Sequence, residues 1–119
     1  MFSELLESII NKVEGTLGAV VMGMDGISIE KRLPGADINL ESLAAEYTSI
    51  LRSSSSTTQG VGLGVIEEFI VATDQRIIAI KMITPEYFLL LLLKRDGNLG
   101  RARFELKKAG YALAKEFVI

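Results

Sequence analysis

The most distinctive pattern in the chain is an unbroken apolar run that ends at a charged turn containing glycine. Residues 89–93 are five consecutive leucines, and the segment KRDGN follows them directly. A strand that is apolar at both alternating sets of positions has both faces covered, so this segment is predicted to lie in the middle of a sheet. The run is too short for a membrane span, which needs roughly 20 apolar residues as a helix.

Periodicity predicts a helix and then two strands in the first third of the chain. Apolar residues recur at helical spacing over residues 2–13, with Ser3 as the expected N-cap. Residues 17–24 and 27–32 are predicted strands on either side of Asp25-Gly26. This dipeptide is typical of a type I′ hairpin turn, in which both central residues have positive φ.

A long middle helix is predicted to begin after Asn39, which can act as its N-cap. Its second half, residues 53–59 with the sequence SSSSTTQ, supports two interpretations. Serine and threonine lower helix propensity, which favours a flexible linker. Small side chains nevertheless recur at helical spacing along one side of the segment, which favours a helix up to Gly60. We prefer that interpretation. The apolar face of this helix is formed by Leu40, Leu43, Tyr47, Ile50 and Leu51.

The second half of the chain predicts three more strands, at residues 65–73, 76–84 and 86–94, and a C-terminal amphipathic helix capped by Asn98. The resulting order, α-β-β-α-β-β-β-α, defines an α+β fold with a five-stranded antiparallel sheet and helices on both of its faces. Residues 65–73 have mixed faces and form the predicted edge strand. Because an exposed edge can pair with the same edge of a second copy, this strand is also the predicted dimer edge.

Composition sets the size of the protein and excludes several kinds of chemistry. The 119 residues fit a single domain, 1–119, and 49% of them are hydrophobic, with a mean hydropathy of +0.35. Such an apolar chain favours self-association. It contains no cysteine and no histidine, which excludes disulfides, a thiol nucleophile, an imidazole base and the usual zinc sites. No cofactor, metal site or enzymatic activity is therefore expected.

Two local motifs are interpreted structurally and not as binding sites. The glycine-rich segment 60–64 follows a helix and precedes a strand, the reverse of the order in a phosphate-binding loop, so it is expected only to end the helix. Glu67 and Glu68 are adjacent on a predicted strand and point to opposite faces. They are therefore not expected to form a catalytic or magnesium-binding pair.

Charge is distributed unevenly along the chain. Residues 1–50 carry three basic and eight acidic residues, whereas residues 94–108 contain six basic residues. A solvated helix face is the simplest interpretation of this basic cluster, and contact with an acidic partner or a membrane surface is the alternative. A pI of about 5.2 and few nearby aromatic residues argue against nucleic acid as a partner.

Targeting signals are not expected in this sequence. The first residues have no basic n-region, and the apolar residues of segment 77–93 are interrupted by charges and a proline. No signal peptide or integral membrane segment is therefore expected, and the expected location is cytoplasmic.

Two segments carry a family resemblance. VVMGMDGISIEKR at residues 20–32 and LLLLLKRDGNLGRARFELKKA at residues 89–109 resemble the roadblock (dynein light chain) domain family, specifically its short prokaryotic members related to regulators of Ras-like gliding-motility GTPases. The resemblance covers nearly the whole chain. It implies a profilin-like fold, a dimer whose two sheets join edge to edge, and an exposed platform formed by the two middle helices. It also implies an adaptor or regulator of small GTPases.

The leading functional hypothesis is a non-enzymatic homodimeric adaptor that binds a Ras-like small GTPase through the middle-helix platform. A structural dimerisation scaffold without GTPase contact and a small-molecule sensor are the alternatives. The predicted partner-binding residues are Glu41, Ala45, Ser49, Arg52, Ser56 and Gln59. Arg52 is the expected anchor, because a guanidinium makes directional contacts with carboxylates and phosphates. The predicted dimer interface combines the small-residue stripe with the edge strand and comprises Ala44, Thr48, Leu51, Ser55, Thr58, Val65, Glu67, Phe69 and Val71.

Overall fold

The computed structural model describes residues 2–117, in which five antiparallel strands form one sheet with helices on both faces. The helices are α1 (Phe2–Lys12), α2 (Leu40–Gly60) and α3 (Leu99–Ala114), and a 3-10 helix, Lys115–Phe117, follows α3. The strands are β1 (Thr16–Gly23), β2 (Ser28–Arg32), β3 (Glu68–Ala72), β4 (Arg76–Thr84) and β5 (Tyr87–Lys94). Their order across the sheet is β2-β1-β5-β4-β3. The predicted element order and the α+β class are confirmed.

Strand β5 occupies the centre of the sheet, as the leucine run predicts. It pairs with β1 on one side and with β4 on the other. Leu89, Leu91 and Leu93 are buried against α1 and α3, whereas Leu90 and Leu92 are buried against α2. Two helices therefore cover one face of the sheet, and α2 alone covers the other.

The β1–β2 hairpin does not contain the predicted type I′ turn. Among residues 2–117 only glycines have positive φ, so Asp25 does not take the first central position of such a turn. The loop has three residues instead: the Gly26 N–H donates to the Gly23 carbonyl at 2.9 Å, and Gly26 has a φ of 86°. The Asp25 carboxylate accepts a hydrogen bond from the Ile27 N–H at 3.1 Å. A three-residue loop ending in a left-handed glycine fits the same dipeptide, because only the glycine then needs positive φ.

Helix α2 continues through the serine-rich segment, so the helical interpretation of residues 53–59 is confirmed. Asn39 caps the helix by accepting a hydrogen bond from the N–H three residues further on, at 3.1 Å. The hydroxyls of Thr57 and Thr58 each donate to the carbonyl four residues earlier, at 3.0 Å. Both hydroxyls therefore have acceptors within the helix, and the segment does not have to leave the helical conformation to provide them.

The predicted helix caps have mixed outcomes. Asn98 caps α3, where its side chain accepts from the Arg101 N–H at 2.9 Å. Ser3 is not an N-cap, because α1 begins one residue earlier and Ser3 lies within it. Its hydroxyl accepts a hydrogen bond from Arg32 of β2 instead.

Strand β3 is shorter than predicted. It begins at Glu68 and not at Val65. The chain leaves α2 through a loop in which Gly62 and Gly64 have φ values of 78° and 93°. Because left-handed glycines interrupt an extended conformation, the strand starts only after the loop has turned onto the sheet. The position of β3 at the edge of the sheet is confirmed.

Candidate functional site

The sheet has two edge strands, and one of them is protected. β2 carries Glu30, Lys31 and Arg32 in a row. The Glu30 carboxylate accepts from the main-chain N–H of Lys31 at 3.1 Å, and Arg32 forms an ion pair with Glu7 of α1 at 3.3 Å. Charged side chains and local hydrogen bonds of this kind discourage pairing with another strand.

The other edge strand, β3, is apolar along most of its length. Its sequence is EFIVA, and its single charged side chain, Glu68, lies 2.6 Å from the Arg103 guanidinium of α3. The ion pair draws this carboxylate towards α3 and leaves the rest of the strand without charge. β3 therefore lacks the devices that protect β2.

The main-chain groups of β3 point alternately towards β4 and away from it. Glu67 and Thr73 each form a main-chain hydrogen bond with the β4 side at 2.9 Å. Because hydrogen-bonding directions alternate along an antiparallel strand, the N–H and C=O groups of Glu68, Ile70 and Ala72 point away from β4. These three residues present an open hydrogen-bonding edge.

The loop between α2 and β3 exposes three large apolar side chains. Val61, Leu63 and Val65 are 69%, 77% and 69% exposed. On the adjoining strand, Phe69 and Val71 are only partly buried, against the α2 side of the core. A concentration of exposed apolar side chains beside an open edge is typical of an interaction surface.

Part of the predicted dimer interface is inaccessible. Ala44, Thr48 and Leu51 are buried because this side of α2 packs onto the sheet of its own chain. Their assignment to the dimer interface is therefore wrong, and this stripe is the core face of the helix. The other predicted interface residues are partly buried or exposed, and their role stays a prediction: Ser55, Thr58, Val65, Glu67, Phe69 and Val71.

The side of α2 that lies towards β3 carries several residues that were not predicted to form a site. Tyr47 packs edge-on against Phe69 of β3, with ring centroids 6.4 Å apart. Helical spacing places Leu43, Ile50 and Ser54 on the same side. Ile50, expected in the core, is 43% exposed. The sequence did contain a signal for this surface, because the apolar residues of α2 span a wider face of the helix than the core buries.

Two of the predicted partner-binding residues face the β1–β2 hairpin, and one of them, Glu41, bonds to it. The Glu41 carboxylate accepts hydrogen bonds from the Ser28 hydroxyl and from the Lys31 ammonium, the latter at 3.1 Å. The Ser28 hydrogen bond, followed by the hydrogen bond and the positive charge of Lys31, lowers the pKa of Glu41 below its usual value. Ala45 lies opposite Gly26 of the hairpin loop.

The other four predicted partner-binding residues are exposed or partly exposed along the second half of α2: Ser49, Arg52, Ser56 and Gln59. Arg52 donates to the Met24 carbonyl at 2.8 Å, which holds its guanidinium beside the hairpin loop. A guanidinium has five N–H donors, so this bond leaves others for a partner. The expected anchor is thus accessible and also held in place.

A groove of about 500 Å³ runs beside this part of α2. Its lining includes the apolar side chains Met24 and Ile66 and the charged side chains Arg52 and Glu67. Glu67 therefore lies on the α2 side of the sheet and Glu68 on the α3 side, as their alternation predicts.

Residues 2–117 contain neither a metal-binding cluster of acidic side chains nor a membrane-spanning helix. No three Asp or Glu side chains in this range are close enough together to hold a metal ion. No helix of the described chain has the length and apolar character needed to cross a membrane.

Comparison with known proteins finds several relatives over nearly the whole chain, although no family model matches it. MglC from Myxococcus xanthus is 31% identical, and its crystal structure aligns with a TM-score of 0.67 over 96% of this chain and 97% of that one. The Roadblock/LC7 domain from Streptomyces avermitilis aligns with a TM-score of 0.84 at 17% identity, over 96% of this chain and 95% of that one. The gliding protein MglB from Thermus thermophilus aligns with a TM-score of 0.85 at 16% identity, over 94% of this chain and 84% of that one.

Sequence comparison adds a relative from Methanocaldococcus jannaschii. The uncharacterized protein MJ1340 is 27% identical over 108 residues, which are 91% of this chain and 93% of that protein. The structures of low identity show the fold, and the similarity to MglC extends over nearly the full length of both chains at a higher identity. The chain belongs to the Roadblock/LC7 domain family.

Proposed function

We propose that this chain is a non-enzymatic adaptor that forms a homodimer through β3 and binds a Ras-like small GTPase on a platform made by the two α2 helices. The observation that carries the proposal is the contrast between the two edges of the sheet. β2 is protected by charge, whereas β3 is open and apolar. The resemblance to regulators of Ras-like gliding-motility GTPases supports a GTPase as the partner.

The open groups of β3 favour the register of a two-fold dimer that pairs all three of them. Because Glu68, Ile70 and Ala72 direct their main-chain groups outwards, an antiparallel copy pairs with Ile70 opposite Ile70 and Glu68 opposite Ala72. This register forms about six main-chain hydrogen bonds, each with a net contribution of about 1 kcal/mol. It also brings Phe69 and Val71 of both copies together on the α2 side of the joined sheet.

Ala72→Pro tests this register. Proline is tolerated at an edge position whose N–H faces solvent, so the fold of one chain should survive. The dimer would lose one hydrogen bond from each copy, and we expect its dissociation constant to rise roughly thirtyfold or more. Ala72→Val is the matched control, because it keeps the N–H and adds a β-branched side chain at the same exposed position.

Light scattering and sedimentation measure the dimer, and far-UV circular dichroism checks the fold of each variant. A dissociation constant that is the same for Ala72→Pro and Ala72→Val would reject β3 as the dimer edge. A wild-type protein that stays monomeric at micromolar concentration would reject the homodimer itself.

The GTPase platform rests on the exposed half of α2. Side-by-side α2 helices in the dimer would present Ser49, Arg52 and Ser56 of both copies on one surface. The two serines permit close approach, and Arg52 supplies directional donors for carboxylate or phosphate groups. Glu41 contributes by holding the helix on the hairpin, and Ala45 lies beside the hairpin loop.

Ser49→Arg combined with Ser56→Arg tests the platform by adding bulk and charge to the outer side of α2. The matched control, Asn11→Arg with Gln75→Arg, adds the same charge at exposed positions away from α2. Calorimetric titration uses a small GTPase encoded in the same genome, loaded with GDP or with a non-hydrolysable GTP analogue. We expect the platform variant to weaken binding by about tenfold or more and the control to stay within about twofold.

Two outcomes of this titration would contradict the proposal. Equal affinities for the platform variant and its control would remove α2 as the binding surface. A wild-type dimer that binds neither nucleotide form would leave the dimerisation scaffold as the function.

A small-molecule sensor is the second candidate, and the groove beside α2 is the observation that favours it. Its volume of about 500 Å³ lies within the range of ligand pockets, roughly 300–1,000 Å³. Met82 also lines the groove, so Met82→Trp would fill it. In a thermal-shift screen, a ligand that stabilises the wild type but not Met82→Trp would support a sensor, and uniformly flat results would reject it.

A further inference from the structure

The outward face of α3 and of the 3-10 turn after it carries a regular stripe of basic and aromatic side chains. The stripe consists of Arg101, Phe104, Lys108, Tyr111 and Lys115, which follow one another at alternating steps of three and four residues. That spacing places side chains on one side of a helix. All five are exposed, and the aromatic side chains are 58% (Phe104) and 68% (Tyr111) exposed. We refer to these five residues as the α3 stripe.

The α3 stripe carries three basic side chains, and the acidic residues nearest to it in the chain are Glu105 and the exposed Glu116 of the 3-10 turn. Glu105 is the only acidic residue of α3, and it is 3% exposed, with its carboxylate 2.8 Å from the Arg101 guanidinium. Lys107 lies exposed beside the stripe, and neither it nor Lys108 forms an ion pair with any described residue. The face therefore offers positive charge that its own chain leaves available.

The exposed rings distinguish this face from an ordinary solvated helix. The Phe104 ring has the Arg101 guanidinium 5.7 Å from its centroid, yet more than half of the side chain remains accessible to water. Aromatic residues and arginine are enriched at protein interfaces, where they form the energetic centre, and charged residues occupy the rim. Two aromatic rings flanked by lysines reproduce that arrangement on one helix.

We propose that the α3 stripe is the docking site for an acidic amphipathic helix of a partner protein. Alternating steps of three and four residues match the seam between two helices that pack side by side. The stripe is about 21 Å long, enough for two heptads of a partner. Phe104 and Tyr111 contact apolar side chains of the partner. Lys108 and Lys115 alternate with them along the seam and extend their ammonium groups to carboxylates at its edges, and Lys107 does the same from beside it.

A protein helix fits this face better than an anionic membrane does. A membrane is a broad negative plane, and the whole protein has a net charge of −2, with eight acidic residues against three basic ones in residues 1–50. The stripe also offers only two large apolar side chains, a small area for interfacial insertion. A partner helix contacts the stripe alone, where the charge is positive.

The α3 site is independent of the proposed GTPase platform. α3 and α2 cover opposite faces of the sheet, in separate core clusters. Variants of the stripe should leave both dimerisation and GTPase binding unchanged, so failure of either proposal can be recognised separately.

A synthetic acidic peptide tests the site on the intact protein. The probe is a helical peptide of about three heptads with leucine at positions a and d and glutamate at e and g. A peptide of the same composition in shuffled order is the control. In an NMR titration of labelled protein, we expect the probe to shift the amide resonances of α3, with about tenfold weaker binding when salt is raised from about 50 to 300 mM.

Matched variants separate local charge from total charge. Lys107→Glu with Lys108→Glu should weaken probe binding about tenfold or more, as should Phe104→Ala with Tyr111→Ala. Asn11→Asp, Lys12→Glu and Gln75→Glu together change the net charge by the same amount at exposed positions outside residues 94–108. That control should stay within about twofold of the wild type.

Several results would overturn the proposal. They are a lack of α3 shifts at millimolar probe, equal binding of the shuffled peptide, and equal weakening by the control variant. Tighter binding to phosphatidylserine-containing vesicles or to duplex DNA than to the probe would also overturn it, by identifying a lipid or nucleic-acid surface instead.

Discussion

Alanine substitutions in the central strand test whether the chain packs both faces of its sheet. Leu90 and Leu91 are neighbours on β5, are fully buried and point to opposite faces. Truncation of a buried leucine costs about 2–5 kcal/mol of unfolding free energy, through lost hydrophobic transfer and the cavity left behind. A domain of this size has a total of about 6–18 kcal/mol, so either loss is a large fraction of it. We expect Leu90→Ala and Leu91→Ala to fall within the same range.

The double variant tests whether the two faces are independent. The two side chains belong to different core clusters but share one stretch of backbone, so the departure of the double variant from the sum of the single costs measures the coupling between the two faces. Urea unfolding followed by circular dichroism measures these free energies, at one protein concentration because dimerisation would add a concentration-dependent term. Ile27→Ala, at an exposed side chain, is the control and should change the free energy by less than about 0.5 kcal/mol. A cost below about 1 kcal/mol for Leu90→Ala alone would refute the packing of α2 on its face of the sheet.

Two further predictions concern the start of α2. Asn39→Ala removes the acceptor of the Ser42 N–H and should lower the free energy of unfolding by about 1 kcal/mol, measured by urea unfolding. The pKa of Glu41 is lowered in the folded state, first by the hydrogen bond from Ser28 and then by Lys31. Its carboxylate therefore stabilises the fold at pH values above its ordinary pKa of 4.5. This stabilisation is lost as the pH falls through the folded-state pKa. The difference in unfolding free energy between wild type and Glu41→Gln should therefore be full at neutral pH and shrink on acidification; a difference that is the same at about pH 7 and pH 3 would contradict this.

Local chemistry explains which parts of the fold could be predicted. The caps Asn39 and Asn98 and the leucine strand depend on patterns within a few residues, and the structure confirms them. The hairpin at Asp25-Gly26 was predicted in the right place. A two-residue loop and a three-residue loop both place a glycine at positive φ, so the dipeptide alone does not determine the loop length.

Tertiary packing explains what could not be predicted. A helical repeat shows that Ala44, Thr48 and Leu51 share one side of α2, but it does not show whether that side meets its own sheet or another chain. The structure places them on the sheet, and the side towards β3 carries Ile50 and Tyr47 instead. The predicted interface therefore included a side of α2 that the chain's own sheet buries, and the role of its other residues stays a prediction.

The number of helices on each face gives the physical reason for the open surface. Five strands spaced about 4.8 Å apart make a sheet roughly 24 Å wide, whereas one helix with its side chains is about 10 Å across. α1 and α3 together nearly cover one face, whereas α2 alone covers β1, β5 and most of β4 on the other face and leaves its β3 edge uncovered. The uncovered part includes Phe69 and Val71, which are only partly buried. A second α2, brought alongside by pairing at β3, would supply the missing cover, whereas α3 lies over a face that is already closed. Its exposed aromatic residues therefore do not serve the core or the proposed dimer, and contact with another partner is the reason we infer for them.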